Sequence, residues 1–303
     1  MQSKSAAGGS SGLRKTRWQF LQERLPSGVG TTRQSLVIDC VDGSDRRTVS
    51  GLRQKGQTSG DRMLESRIPP QKRVAIVQSS YIPWKGYFDL IRAVDEFILL
   101  DEVQFTKRDW RSRNRIKTKD GLAWLTVPVE SKGKYEQRIC DTVIASTDWG
   151  TRHWRTLCSA YARTAAFPAY APALEAIYLA PPSDRLSVVN RTLIEAICRA
   201  LGIATPIRWS SEYEARSGRN ERLIDLCVAA GATMYLSGPA ARSYIDVRAF
   251  AHAGVEVRFA DYAGYAEYPQ PYPPFEHAVS ALDLLFCTGD RAIEYMKNVW
   301  PAQ

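Results

Sequence analysis

Four polar residues in this chain each follow directly on a short apolar run. Gln78 closes Arg73-Val-Ala-Ile-Val-Gln78, Asp101 closes Glu96-Phe-Ile-Leu-Leu-Asp101, Ser210 follows the run from Ile207, and Ser237 ends the run from Thr233. Short apolar runs of this length predict buried strands. If the strands are parallel, their polar ends converge on one sheet edge, where open α/β sheets bind ligands. A carboxyl at a buried strand end has a raised pKa and suits general-base work, so Asp101 is the first catalytic candidate, with Gln78 beside it. Asp283, in Ser280-Ala-Leu-Asp283-Leu-Leu, is a second acid–base candidate, with bracing of the fold as its competing role. Ser210-Ser211 and Ser237-Gly238 offer hydroxyl and backbone donors to a phosphate or carboxylate. Neither is a P-loop, because no G-x-x-x-x-G-K-[ST] occurs.

Seven Lys+Arg fall between Lys107 and Lys119, with the single acid Asp109 and with Trp110 among them. Arg113 and Arg115 lie two apart, so on a strand they share a face while Asn114 points the other way. Paired guanidiniums suit a pyrophosphate or carboxylate, which points to an anionic substrate such as a nucleotide-linked sugar. A solvated hairpin face is the competing reading.

The run Gln78-x-x-Tyr81-x-Pro83-Trp84-x-Gly86-Tyr87-Phe88, then Asp101-x-Val103-Gln104-Phe105 and Trp110-x-x-Arg113-Asn114-Arg115-Ile116, resembles the signature of the WbqC-like family. The likeness continues through Trp124-Leu-Thr-Val-Pro128, Ser210-Ser211, Tyr235-Leu-Ser237-Gly238-Pro239 and Ser280-x-x-Asp283, covering about Val74 to Gly289. One departure is Ser79, where the family usually carries proline. The resemblance implies a bacterial protein of O-antigen, polysaccharide or natural-product pathways. It implies transfer of an aminoacyl group such as glycine onto an amino group, often of a sugar nucleotide; a donor borne by tRNA or another carrier is a further hypothesis. The candidate substrate-binding residues are then Tyr81, Trp84, Gln104, Trp110, Arg113, Asn114, Arg115, Ser210, Ser211, Ser237, Gly238, Tyr244 and Gln270. Two alternatives stay open: an ATP-using nucleotidylyltransferase or ligase, and a non-catalytic sugar-nucleotide-binding protein. The strand, Tyr81-x-Pro83, x-Gly86, helix pattern is similar to the opening of HIGH-type nucleotidylyltransferases, but Trp84 and Tyr87 stand where those enzymes need histidines.

Composition bounds these readings. The formal charge of +9 is uneven: residues 1–72 hold 13 basic and 6 acidic side chains, the remainder 28 and 26. The sum for residues 73–303 is therefore nearly neutral and does not by itself point to a general nucleic-acid surface. The six cysteines, at 40, 140, 158, 198, 227 and 287, form no C-x-x-C pair, and His153, His252 and His277 form no ligand pair. No metal site and no cofactor are expected. With no apolar run of membrane-helix length and no signal-like segment, a cytoplasmic protein without membrane contact is expected.

The elements that must position these residues are α/β in character. Residues 1–72, rich in Gly, Ser and Arg and poor in apolar residues, read as a mostly disordered basic segment. Residues 73–303 read as one α/β domain with a Rossmann-like, mostly parallel sheet and crossover helices, a β-hairpin insertion around Lys119-Asp120-Gly121, and a central helical section. Ile139–Ala145 reads as a further strand, Asp148 as a helix N-cap, and Leu186 to Leu201 as the clearest amphipathic helix, ended by Gly202. Asn190-Arg-Thr192 matches a glycosylation pattern but falls within that helix and is set aside. Tyr262–Phe275 reads as an extended aromatic loop, a lid or a cover, and two closing helices follow it, the second over Asp290–Trp300.

Overall fold

The computed structural model describes residues 71–216 and 218–301. The expected disordered segment lies almost wholly outside them. Five strands form one parallel sheet: β1 (Arg73–Val77), β2 (Glu96–Leu99), β5 (Ile207–Trp209), β6 (Met234–Ser237) and β7 (Glu256–Phe259). Their order is β5-β2-β1-β6-β7. The register pairs Val74 with Glu96 and with Tyr235, and Phe97 with Ile207. Connections leave β1 to one side for β2 and β5 and to the other side for β6 and β7. The topological switch of this doubly wound sheet therefore falls between β1 and β6.

Alternation along the central strands divides the core between two layers. Ala75, Phe97 and Leu99 pack against one set of helices: α1 (Lys85–Arg92), α2 (Trp149–Tyr161), α3 (Phe167–Leu179), α4 (Leu186–Ala200) and α7 (Ala281–Thr288). Val74, Ile76 and Ile98 face the other way, toward α5 (Asn220–Ala229) and α6 (Val247–His252). The apolar stripe of α4, with Leu186, Val189, Leu193, Ile194 and Ile197 at 0% exposure, is the expected amphipathic face, and Gly202 ends the helix at φ +67°.

The insertion is an antiparallel hairpin of β3 (Arg113–Thr118) and β4 (Gly121–Thr126), in which Arg115 stands opposite Trp124. Its turn needs Gly121, whose φ is +101°.

Three local expectations are corrected. Ile139–Asp141 is a 3-10 turn, and Val143 and Ile144 make isolated bridges to Arg185 and Val129 in place of a strand. Asp148 occupies the N-cap position of α2 without capping it, because its carboxylate takes the Ser146 hydroxyl. The last segment is a 3-10 helix over Gly289–Tyr295, and the chain beyond it is irregular.

The extended segment 261–279 is an anchored cover. The Tyr265 hydroxyl donates to Asp89 at 2.6 Å, Lys85 Nζ donates to the Ala266 carbonyl at 3.2 Å, and the Lys117 ammonium donates to the Pro274 carbonyl. Burial draws Lys85 down to about 8, against the attraction of Asp89 and Asp283, and pushes Asp89 up to about 6 against several hydrogen bonds.

Candidate active site

The loop after β1 and the segment 101–114 are laced together at the carboxyl end of β1. The Tyr81 N–H donates to the Trp110 carbonyl at 2.9 Å. Asn114 Nδ2 donates to the carbonyls of Tyr81 at 3.2 Å and Ile82 at 2.8 Å. These bonds hold Ile82 at φ +36°, a backbone region that a β-branched residue occupies only under constraint. Arg111 Nη1 donates to Gln78 Oε1 at 2.6 Å. Asn190, fully buried on α4, donates through Nδ2 to Ser79 Oγ at 3.2 Å and to the Arg111 carbonyl at 2.9 Å. The mouth formed this way is a cleft lined by Ser80, Trp84, Tyr87, Trp110, Arg111 and Asn114, with Ala278 of the cover on its far side.

One residue layer behind that wall is Asp101, 1% exposed. Its Oδ1 accepts the Ser79 N–H at 2.8 Å, while its Oδ2 is buried without a hydrogen-bond partner. Burial raises its pKa, and the hydrogen bonds from Ser79 and the Arg111 charge only partly oppose that rise. Burial with one oxygen left unpartnered favours the protonated carboxyl over its charged form. Nε of Arg111 is likewise buried and unpartnered, and its charge acts on the Asp101 carboxyl without forming an ion pair with it.

Trp84 keeps its place through Gly86. A Cβ at Gly86 would come within 2.4 Å of Trp84 Cζ2, so the indole lies flat over the start of α1. The ring is held edge-on against Tyr262 and Tyr265 of the cover, with centroids 5.2 and 5.6 Å away.

Of the residues expected at the site, the structure places Trp84, Trp110 and Asn114 in the cleft lining, with Gln78 bonded to the lining residue Arg111 and Asp101 bonded to Ser79, the neighbour of the lining residue Ser80. Arg113 and Arg115 lie instead on the opposite hairpin face, against Trp124. Tyr81 is fully buried and turned away from the cleft, its hydroxyl 2.7 Å from His153 Nδ1 and 2.9 Å from the Tyr178 hydroxyl. Asp283 is 0% exposed and bound by the Tyr161 and Tyr268 hydroxyls and Gln270 Nε2, at 2.7, 2.6 and 2.7 Å. These bonds tie Asp283 and Gln270 to the cover, and burial raises the Asp283 pKa against those three bonds.

The remaining candidates stand apart from this cluster. Ser210, after β5, donates to Glu102 at 3.0 Å, with Ser211 exposed beside it. Ser237 and Gly238 end β6 across the switch, and the Ser237 hydroxyl bonds the Tyr235 hydroxyl at 3.3 Å. Gln104 is exposed and ties the loop to the Tyr135 carbonyl at 3.0 Å. Tyr244 lies under the Arg219 guanidinium, 4.9 Å from its ring.

A family model described as the WbqC-like protein family matches residues 78–295, a span that includes Ser80, Trp84, Trp110, Arg111 and Asn114 of the cleft. The chain belongs to the WbqC-like family. It is 53% identical over 226 residues to the uncharacterized protein Rv1507c of Mycobacterium tuberculosis (strain ATCC 25618 / H37Rv), an alignment covering 75% of this chain and 98% of that protein. No solved structure matches it. This WbqC-like protein has no group of three or more His, Cys, Asp or Glu side chains able to hold a metal among the described residues. Its described cysteines are all unpaired. None of its described helices is long and apolar enough to cross a membrane.

Sequence reasoning missed Arg111 and Asn190. Arg111 was hidden among seven equivalent cations. Asn190 carried one available signal, a fully polar amide on the apolar face of α4, between Leu186 and Leu193.

Proposed function

We propose that this WbqC-like protein is a transferase that forms an amide, moving an aminoacyl group, glycine-like in size, onto an amino group of a sugar nucleotide or natural-product intermediate. The observation that carries the reading is Asp101: a buried carboxyl of raised pKa with Oδ2 unpartnered, within the field of Arg111, whose Nε is also unpartnered. In this reading the acceptor amine enters the cleft between Trp84 and Trp110 and attacks the carbonyl carbon of an activated acyl donor. The new C–N bond forms as the C–O or C–S bond to the carrier breaks. Asp101 receives the amine proton, and Arg111 stabilises the charge that develops on the carbonyl oxygen. Gln78 holds Arg111 in place, and Asn114 holds the loop that carries Trp84.

The test is mass spectrometry of a panel of amino-sugar nucleotides incubated with glycyl donors carried on adenylate, thioester and tRNA. The reading expects an acceptor heavier by one glycyl residue and no product from Asp101→Asn. RNase treatment separates a tRNA donor from the other two. The strand order, with its switch beside Gln78, favours one second reading, an ATP-using nucleotidylyl transfer. ATP–pyrophosphate exchange dependent on an added acid would support that reading over the first.

A further inference from the structure

The seven cations between Lys107 and Lys119 take part in none of the ion pairs among the described residues. Two of them are used internally, Arg111 by Gln78 and Lys117 by the Pro274 carbonyl. The one acid in the run, Asp109, accepts the Trp110 N–H at 2.7 Å. Of the other five, Arg113 and Arg115 stand side by side on the outer face of β3. The Arg113 guanidinium carbon is 4.2 Å from the centre of the Trp124 ring, and that of Arg115 is 5.6 Å from Trp124 and 6.0 Å from Trp110. Both Nε atoms are buried and unpartnered. Burial and the charge of Arg108 pull the Arg113 pKa below its ordinary value, and the Asp109 charge only partly opposes that fall. Trp124 is 40% exposed, and its ring lies 5.6 Å from Trp110, which also lines the cleft.

We propose that this outer hairpin face is a nucleotide-binding site, with the base stacked on Trp124 and Trp110 and the phosphates held by Arg113 and Arg115. Alternate residues on one strand face stand roughly 7 Å apart, a spacing that lets two guanidiniums grip neighbouring phosphate groups. Aromatic rings with arginine beside them stack any base through its π face. Trp110 joins this face to the cleft, so a nucleotide bound here can present whatever it carries toward Asp101. The proposal deepens the transfer reading by naming the handle of its substrate. The nucleotide could be the free nucleoside diphosphate of an activated sugar or a nucleotide unit of a single-stranded RNA.

The experiment is titration of the full chain, following tryptophan fluorescence and heat, with UDP, ADP and GDP, with inorganic pyrophosphate as a base-free control, and with a ten-residue oligouridylate. The expected result is quenching by at least one diphosphate, with pyrophosphate binding about tenfold more weakly or worse, the loss that removing a stacked base brings. Trp124→Ala and the double variant Arg113→Ala, Arg115→Ala should each weaken the nucleotide by about tenfold or more while melting as cooperatively as the native chain. If oligouridylate binds more tightly than UDP and loses affinity in the same variants, the source is RNA and the nucleotide chemistry stands. Asp101→Asn should bind as the native chain does. Because none of these readouts needs turnover, failure of the transfer assay leaves the result intact. The proposal is overturned if no nucleotide binds more tightly than pyrophosphate, or if both sets of variants bind as the native protein does.

Discussion

The backbone N–H of Ser79 donates to Asp101 Oδ1 at 2.8 Å, while Oδ2 has no hydrogen-bond partner among the described residues. A proline at position 79 would have no N–H to give. Ser79→Pro should therefore raise the Asp101 pKa further, because a bond that favours the ionised form is lost. A bond to a charged group contributes about 1.5–3 kcal/mol, so the shift should be of the order of one unit or more. The pH dependence of the unfolding midpoint, compared between Ser79→Pro and Ser79→Ala, reads it. Equal profiles would show that the N–H does not tune the carboxyl.

Asp101→Asn separates stability from function. A carboxyl whose folded pKa lies above its unfolded value binds its proton more tightly when folded, so its contribution is most favourable at low pH and is lost as pH rises through the folded value. The asparagine variant lacks that loss. It should melt at the same temperature as the native protein or higher at pH 8 while forming no product. A variant that melts several degrees lower would mean that the carboxylate is a structural brace.

Gly86→Ala tests the seat of Trp84. The added methyl must displace the indole, since the Cβ position lies 2.4 Å from Cζ2. Overpacking of this sort costs about 1–3 kcal/mol, and the Trp84 ring should swing out of the cleft and away from Tyr262 and Tyr265. A shift in tryptophan emission with a lowered melting temperature is the expected outcome. An unchanged spectrum would place the ring elsewhere.

His153 should make the fold acid-sensitive. Burial holds its pKa down to about 4, even though its bond to the Thr126 backbone favours the charged form. The unfolded chain takes up the proton near 6.5 and the folded chain does not, so stability present above that pH is lost as pH falls toward 4. The whole contribution is about 3 kcal/mol. In His153→Gln this slope should vanish between pH 6.5 and 4, leaving the opposite and shallower trend from Asp89, which burial pushes up to about 6. Parallel curves for the two proteins would contradict the buried neutral imidazole.

The sheet was legible because strand ends announce themselves: apolar runs halted by Gln78, Asp101 and Ser237 predicted both the strands and the edge where a cleft would open. The hairpin was equally plain from the alternation beginning at Arg113 and from Gly121. What could not be read was which cation faces inward. Alternation starts only at Arg113, whereas Arg111 follows a turn in which Arg108 takes φ +57°, and no period fixes its direction. Asp283 looked like an acid–base residue because a buried acid carries the same sequence signature as a catalytic one. Of its three donors, Tyr268 and Gln270 come from the nearby cover, while Tyr161 comes from a helix 122 residues away in the chain. Asn190 was discarded as a modification site, and only tertiary packing shows that it ties Ser79 to Arg111. The Ile139 segment has strand composition without a strand partner long enough to pair with.

Titration of the Asp101 carboxyl by carbon-13 NMR, with Asp101→Asn identifying its resonance, tests the centre of this account without needing a substrate. The prediction is a midpoint clearly above the ordinary aspartate value near 3.9. A midpoint at or below that value would leave the cleft without its proton acceptor.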